Sequence, residues 1–220
     1  MRIASLFSGG KDSTYALFCA LQQGYEAKRL ITLEPEADSL MFHHPNIPLT
    51  ALQAKAMGIP QTLRRTTNER ELQDLKELLA GLEIDAVVSG AVESEYQKQR
   101  IDVICEELGL HSFAPLWRKE PISYLREMVA SGLEILVTGV AAEGMDASWL
   151  GRKIDEKAIV ELEQLRKAKG VHPIFEGGEG ETFVTWAPFF KQRIIIERAE
   201  KKWSGGSGVL EIKKARLAET

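Results

Sequence analysis

Apolar positions along the chain fall into two alternating periods. Ile3, Ala4, Ser5, Leu6 and Phe7 form a short continuous run, as in a strand buried on both faces, and the run stops at Ser8, Gly9 and Gly10. Beyond that break Tyr15, Leu17, Phe18, Ala20 and Leu21 recur at helical spacing up to Gly24, and Lys28 to Leu33 reads as a second strand. A strand, loop, helix and strand in this order make a βαβ crossover, which implies a parallel sheet with right-handed connections. The alternation continues with a helix over Leu49–Met57, a strand over Thr62–Thr66, a helix over Glu69–Leu79, a strand over Ala86–Gly90 and a helix over Tyr96–Leu108. The pattern predicts an α/β fold with a doubly wound, Rossmann-like parallel sheet.

The pattern changes character past Pro115. A helix over Ile122–Val129, a strand over Glu134–Val140 and a charged helix over Glu156–Lys169 precede two apolar stretches, Ile194 to Trp203 and Val209 to Ile212. Those two read as a hairpin joined by a flexible five-residue loop, Ser204 to Gly208. A boundary near Trp117 to Pro121 therefore separates residues 1–117, the doubly wound unit, from residues 118–220, a smaller α+β domain.

Composition narrows the class further. With 44% hydrophobic and 27% charged residues over 220 positions, the chain is neither disordered nor a disulfide-dense miniature. Its 28 Lys and Arg against 32 Asp and Glu leave −4, so no overall attraction draws it to nucleic acid or anionic lipid. Two cysteines, Cys19 and Cys105, make no metal cluster and are expected to be reduced core residues. No run reaches the length of a membrane span, and the first strand enters the Ser8 loop directly, which leaves a cytoplasmic location without a signal peptide as the expectation.

Ser8-Gly9-Gly10-Lys11-Asp12-Ser13 follows a buried strand and opens a helix, where free backbone N–H groups and the helix dipole favour an anion. Adjacent glycines admit phosphate oxygens close to the backbone, Ser8 and Ser13 add hydroxyl donors, and Lys11 can neutralise phosphate charge. Asp12 has the wrong sign to do the same and fits a divalent cation, Mg²⁺, bridging a polyphosphate. The alternative is a plain strand-to-helix turn with Asp12 complementing the dipole. The spacing matches neither G-x-x-x-x-G-K-[ST] nor G-x-G-x-x-G.

The loop resembles the SGGxDS pyrophosphate loop of the N-type ATP pyrophosphatases, a superfamily of HUP-like fold that cleaves ATP to AMP and pyrophosphate. Met41-Phe42-His43-His44-Pro45-Asn46-Ile47, Ser89-Gly90-Ala91 with Tyr96-Gln97 and Arg100, and Glu176-Gly177-Gly178-Glu179-Gly180-Glu181-Thr182 follow in order. With Leu108-Gly109-Leu110, Ala114-Pro115-Leu116-Trp117 and Leu150-Gly151-Arg152, they are similar to the diphthine–ammonia ligase family from Ser5 to about Lys191. The resemblance implies ATP-dependent, AMP-forming amidation, through an acyl-adenylate, of the diphthine carboxylate on translation elongation factor 2, with ammonium as donor and diphthamide as product. Gly180 and Trp186 depart from it, standing where family members commonly carry an aromatic residue and an aspartate.

Several residues have readings beside the resemblance. His43 follows a strand end where such sheets bind ligands, suiting phosphate contact or proton transfer, or else an ordinary loop histidine. Tyr96, Gln97 and Arg100 lie on adjacent turns at a helix start and suit ATP or a substrate carboxylate; otherwise Tyr96 is core and Arg100 a solvated ion pair. Glu176, Glu179 and Glu181 around Gly177, Gly178 and Gly180 suit a metal, ammonium or a trimethylammonium group, with Trp186 as an aromatic partner, or else make a solvated acidic turn. Neither cysteine has a histidine nearby, so a glutaminase is not expected and free ammonium is. Lys191, Arg193, Arg198, Lys201 and Lys202 mark a basic edge for a protein acceptor. Two alternatives stay open: the same chemistry on a small-molecule acid, and a nucleotide sensor without turnover.

Overall fold

In the computed structural model, which describes residues 1–35 and 46–219, the chain forms two compact units. Met1–Ser8 with Asp12–Trp117 make the first, and Gly9–Lys11 with Arg118–Thr220 make the second. Among the described residues no helix is long and apolar enough to cross a membrane.

The first unit runs β1 (Arg2–Leu6), α1 (Lys11–Gln22), β2 (Glu26–Pro35), α2 (Thr50–Met57), β3 (Gln61–Thr66), α3 (Glu71–Ala80), β4 (Ala86–Val88), α4 (Glu95–Leu108) and β5 (His111–Phe113). Its five strands are all parallel, in the order β3-β2-β1-β4-β5. The chain winds outward from β1 to β3 and then crosses back to β4 and β5. Right-handed crossovers in the two directions put α1 and α2 on one face and α3 and α4 on the other. Ala4, Ile31 and Val87 pack with Leu75 and Leu79 of α3 and with Ile104 and Cys105 of α4. The alternate positions Ile3, Leu30 and Val88 are equally buried on the opposite face, as a sheet covered on both sides requires. This is the α/β, doubly wound architecture that the periodicity predicts. The reversal of winding falls between β1 and β4, where sheets of this kind leave a crevice at their carboxyl ends.

The second unit contains α5 (Pro121–Ala130), β6 (Glu134–Val140), α6 (Glu156–Lys169), β7 (Gly180–Trp186), β8 (Ile194–Ser204) and β9 (Ser207–Leu217). Its four strands are antiparallel in the order β7-β6-β9-β8. Glu120 caps α5 by accepting from Ser123 N at 2.8 Å, Asp155 caps α6 by accepting from Ala158 N at 2.8 Å, and α6 ends at a left-handed Gly170. The Leu150-Gly151-Arg152 segment ties the sheet to α6, because Arg152 stacks over Trp149 at 4.4 Å and bonds Glu161 of that helix.

Two expectations change here. Ser204 pairs with Ser207, so the predicted five-residue loop is a tight turn in which only Gly205 and Gly206, at φ 60° and 87°, leave the ladder. Paired positive φ values match the right-handed twist of the flanking strands, which is why glycines sit there. Cys105 is buried, and burial pushes its thiol up to about 11, but Cys19 is only partly covered.

Candidate functional site

At the carboxyl end of β1 the first unit presents Ser8, Asp12 and Ser13. Ser13 Oγ accepts from Ser8 N at 3.2 Å and lies 3.2 Å from Ser8 Oγ, so the two hydroxyls face one another across the loop. Asp12 is half-buried in the first turn of α1. The loop's floor comes from residues distant in sequence. Thr32 Oγ1 donates to the Phe7 carbonyl at 2.6 Å, and the Gln61 amide donates to Thr32 and Thr50 hydroxyls, each at 2.7 Å, fixing the residue just before Ser8. Beyond β4, Gly90 runs so close to α1 that a Cβ there would stand 2.7 Å from Ser13 N and 2.8 Å from the Asp12 carbonyl carbon. A glycine directly after a buried strand is the one sequence signal for this approach. For the threonines and Gln61 the sequence carries no signal, because their partners are set by how β2, β3 and α2 pack together.

Gly9, Gly10 and Lys11 belong to the second unit. Gly9, at φ 81°, accepts from Val184 N at 3.1 Å, and Lys11 N donates to Thr182 Oγ1 at 3.1 Å. The Lys11 ammonium is buried, donates to the Ile174 carbonyl at 2.6 Å and stands 5.6 Å over the Phe175 ring. Phe175 holds a left-handed φ of 65°, a conformation that costs a side chain about 1–3 kcal/mol and tends to mark functional positions.

The remaining expected residues are placed unevenly. His43 and His44 lie outside the described residues. Tyr96, with 57% of its surface exposed, is not core; Arg100 lies over its ring at 3.4 Å, and Gln97 N donates to the capping Ser94 hydroxyl. Near Arg100, the Glu71 carboxyl is raised, chiefly by burial and in spite of that guanidinium. Glu179 is spent on its own turn, accepting from His172 N at 3.0 Å and Gly177 N at 2.8 Å. Gly178 supplies a φ of 84° to the same turn, while Glu176 and Glu181 are half-buried on either side. Among the described residues no three His, Cys, Asp or Glu side chains are grouped to hold a metal ion. Mg²⁺ would therefore need a site of another kind, one carboxylate with phosphate oxygens and water, which the donor set at Asp12 fits.

Comparison with known proteins decides the family. Residues 1–112 match the family model described as the diphthamide synthase N-terminal domain, and residues 120–218 match the one described as the diphthamide synthase C-terminal domain. The chain belongs to the diphthamide synthase family. A rat protein named diphthine--ammonia ligase is 37% identical over 227 residues, 91% of this chain and 84% of that protein. Its human namesake is 35% identical over the same coverage. One from Schizosaccharomyces pombe is 33% identical over 91% of this chain but only 37% of its own length.

The two departures, Gly180 and Trp186, can be read in their surroundings. Gly180 pairs with Val140, and a Cβ there would lie 2.7 Å from the Gly139 carbonyl and 3.1 Å from the Phe175 ring, so an aromatic residue has no room. Trp186 carries Arg193 over its ring at 4.4 Å, with Arg193 also bonded to Glu134. A face already stacked by one cation is poorly placed to receive a trimethylammonium group.

Proposed function

We propose that this chain amidates the diphthine carboxylate of translation elongation factor 2 in the cytoplasm, consuming ATP and ammonium and releasing AMP and pyrophosphate. Family membership over both halves carries the reading, and the architecture at the β1–β4 crevice supports it. Ser8, Gly9, Gly10 and Ser13 would bind the departing phosphates through hydroxyl and backbone donors, with Lys11 supplying positive charge. Asp12 would hold Mg²⁺, which when bound neutralises charge on the leaving pyrophosphate.

The diphthine carboxylate oxygen attacks the α phosphorus as the bond to the bridging oxygen breaks, leaving an acyl-adenylate and pyrophosphate. Ammonia nitrogen then attacks the acyl carbon, AMP departs with the carbon–oxygen electron pair, and the nitrogen sheds a proton. Both steps depend on alignment and on preorganised charge rather than on a protein nucleophile. Tyr96, Gln97 and Arg100 would hold the acceptor, with the Arg100 guanidinium, steadied over the Tyr96 ring, as the anion partner and Gln97 as a neutral hydrogen-bonding group beside it. Glu176, Glu181 and the turn braced by Glu179 with Gly177 and Gly178 would face the cationic ligands, and His43 would assist proton transfer.

Incubating the enzyme with ATP, ammonium and diphthine-bearing elongation factor 2 tests the reading. AMP should form in step with acceptor carboxamide; ADP as the nucleotide product would overturn it.

A further inference from the structure

The β8–β9 ribbon carries charge that its own ladder does not use. Residues 191–217 hold eight Lys and Arg against three Glu in a chain whose net charge is −4. All three acids are engaged within the ribbon: Glu197 with Lys214 at 2.7 Å and Arg216 at 2.8 Å, Glu211 with Lys202 and Lys213, and Glu200 more distantly with Lys213 at 3.9 Å. Arg198 is the register partner of Lys214 at a point where the ladder shifts on both sides, and Lys214 is itself paired with Glu197, so no acid of the ladder lies opposite Arg198. β8 forms the outer edge of its sheet, with Ile195 and Trp203 exposed near its two ends. Trp203 lies across Gly208, where a Cβ would come within 2.4 Å of the indole.

We propose that the β8–β9 ribbon docks an acidic face of the protein acceptor. The inference rests on the reading that the acceptor is a protein. Protection of an edge strand from aggregation needs only charge of either sign, and alternating signs would serve it while giving Arg198 an acid opposite. A nucleic-acid track is disfavoured because Glu197, Glu200 and Glu211 interrupt the cations along both strands, whereas a phosphate backbone asks for a continuous positive stripe. Nor would a basic surface attract the trimethylammonium of diphthine itself. What it complements is acidic surface elsewhere on the acceptor, steering the encounter and setting its orientation.

The test compares wild type with Arg198→Glu and with Arg198→Glu/Lys201→Glu, measuring acceptor KM, ATP KM, kcat and Tm at low and high salt, and acceptor binding by calorimetry without ATP. Arg198→Glu places an acid opposite Lys214, so its Tm should hold or rise. The double variant should raise acceptor KM and weaken acceptor binding by about tenfold or more at low salt, with kcat and ATP KM kept, and the gap should narrow as salt screens it. A folded double variant with wild-type acceptor binding and KM overturns the inference while leaving the amidation reading intact. If wild type binds the acceptor, the variant binds it tenfold less, and neither forms AMP, the amidation reading fails and the docking surface stands. Absence of acceptor binding by wild type overturns the docking surface, as does displacement of the acceptor by RNA that binds the ribbon.

Discussion

Replacing Gly90 with alanine perturbs the candidate phosphate loop without touching any of its functional groups. The backbone at Gly90 is not in the left-handed region, so the added methyl brings no conformational penalty of its own. Its cost is steric: the new Cβ would stand 2.7 Å from Ser13 N, 2.8 Å from the Asp12 carbonyl carbon and 3.0 Å from Ser13 Cα. All three are backbone atoms of α1's first turn and cannot rotate away. Reaching ordinary contact at 3.4 Å means parting the β4 end from that turn by about 0.7 Å in a close-packed interior. Overpacking of this kind costs about 1–3 kcal/mol, which for a chain of this size lowers Tm by roughly 2–12 °C. Because the displaced residues are Asp12 and Ser13, the catalytic loss should exceed the loss of stability; misplacement approaching 1 Å can cost on the order of 10²-fold. Pyrophosphate release should therefore fall about 10- to 100-fold at a temperature where the variant remains folded. Gly81→Ala is the control, since its nearest contact is 3.8 Å and its φ is −83°, and it should behave as wild type. Wild-type pyrophosphate release by Gly90→Ala, with Tm unchanged, would mean that the close approach of Gly90 to α1 sets neither the loop's geometry nor its stability.

Three further substitutions probe neighbouring contacts. Asp12→Asn should keep Tm within about 1 °C, as a half-buried isostere without a core role, yet abolish AMP formation; retained AMP formation removes Asp12 from the chemistry. Lys11→Met strands the buried Ile174 carbonyl and should cost about 1–3 kcal/mol in chemical unfolding together with at least a tenfold loss of pyrophosphate release, whereas an unchanged unfolding midpoint contradicts that contact. The Asp74 carboxyl is held below its ordinary value of 3.8, first by the Thr66 hydroxyl and then by Arg70 and Arg64. The unfolded chain binds that proton more readily, so Asp74 contributes its stability fully above about pH 5 and loses it as pH falls through the unfolded and then the folded value. Asp74→Asn should thus trail wild type in unfolding midpoint at neutral pH and converge with it in acid; a gap that stays constant across the range speaks against the assignment.

The parallel sheet was legible because β1 and β4 are continuous apolar runs that end at Ser-Gly, because β2 and β3 alternate with helices in sequence, and because each helix repeats at its own period. β5 was not: three residues, His111–Phe113, lie partly exposed at a sheet edge and offer too short a pattern to read. β7 escaped for another reason. Gly180-Glu181-Thr182 continues an acidic, glycine-rich turn in sequence, and only pairing with β6 makes it a strand. In the candidate site, Ser8 to Ser13 announce themselves through residue type, whereas Thr32, Gln61 and Thr50 act through tertiary packing of β2, β3 and α2 and leave no trace in a linear pattern. The same limit explains Glu179, whose position in a cluster of acids suggests a cation while its carboxylate closes a turn on His172 and Gly177.

If this fold spends ATP to convert one carboxylate on a protein into a carboxamide, the nitrogen can be followed from donor to product. The decisive experiment is mass measurement of diphthine-bearing elongation factor 2 after incubation with enzyme, ATP and isotopically labelled ammonium. One labelled nitrogen should appear on the diphthine carboxyl for each AMP released, and neither product should form with Asp12→Asn. An unlabelled acceptor alongside steady AMP release, or labelled acceptor formed with ADP, would contradict the proposed amidation.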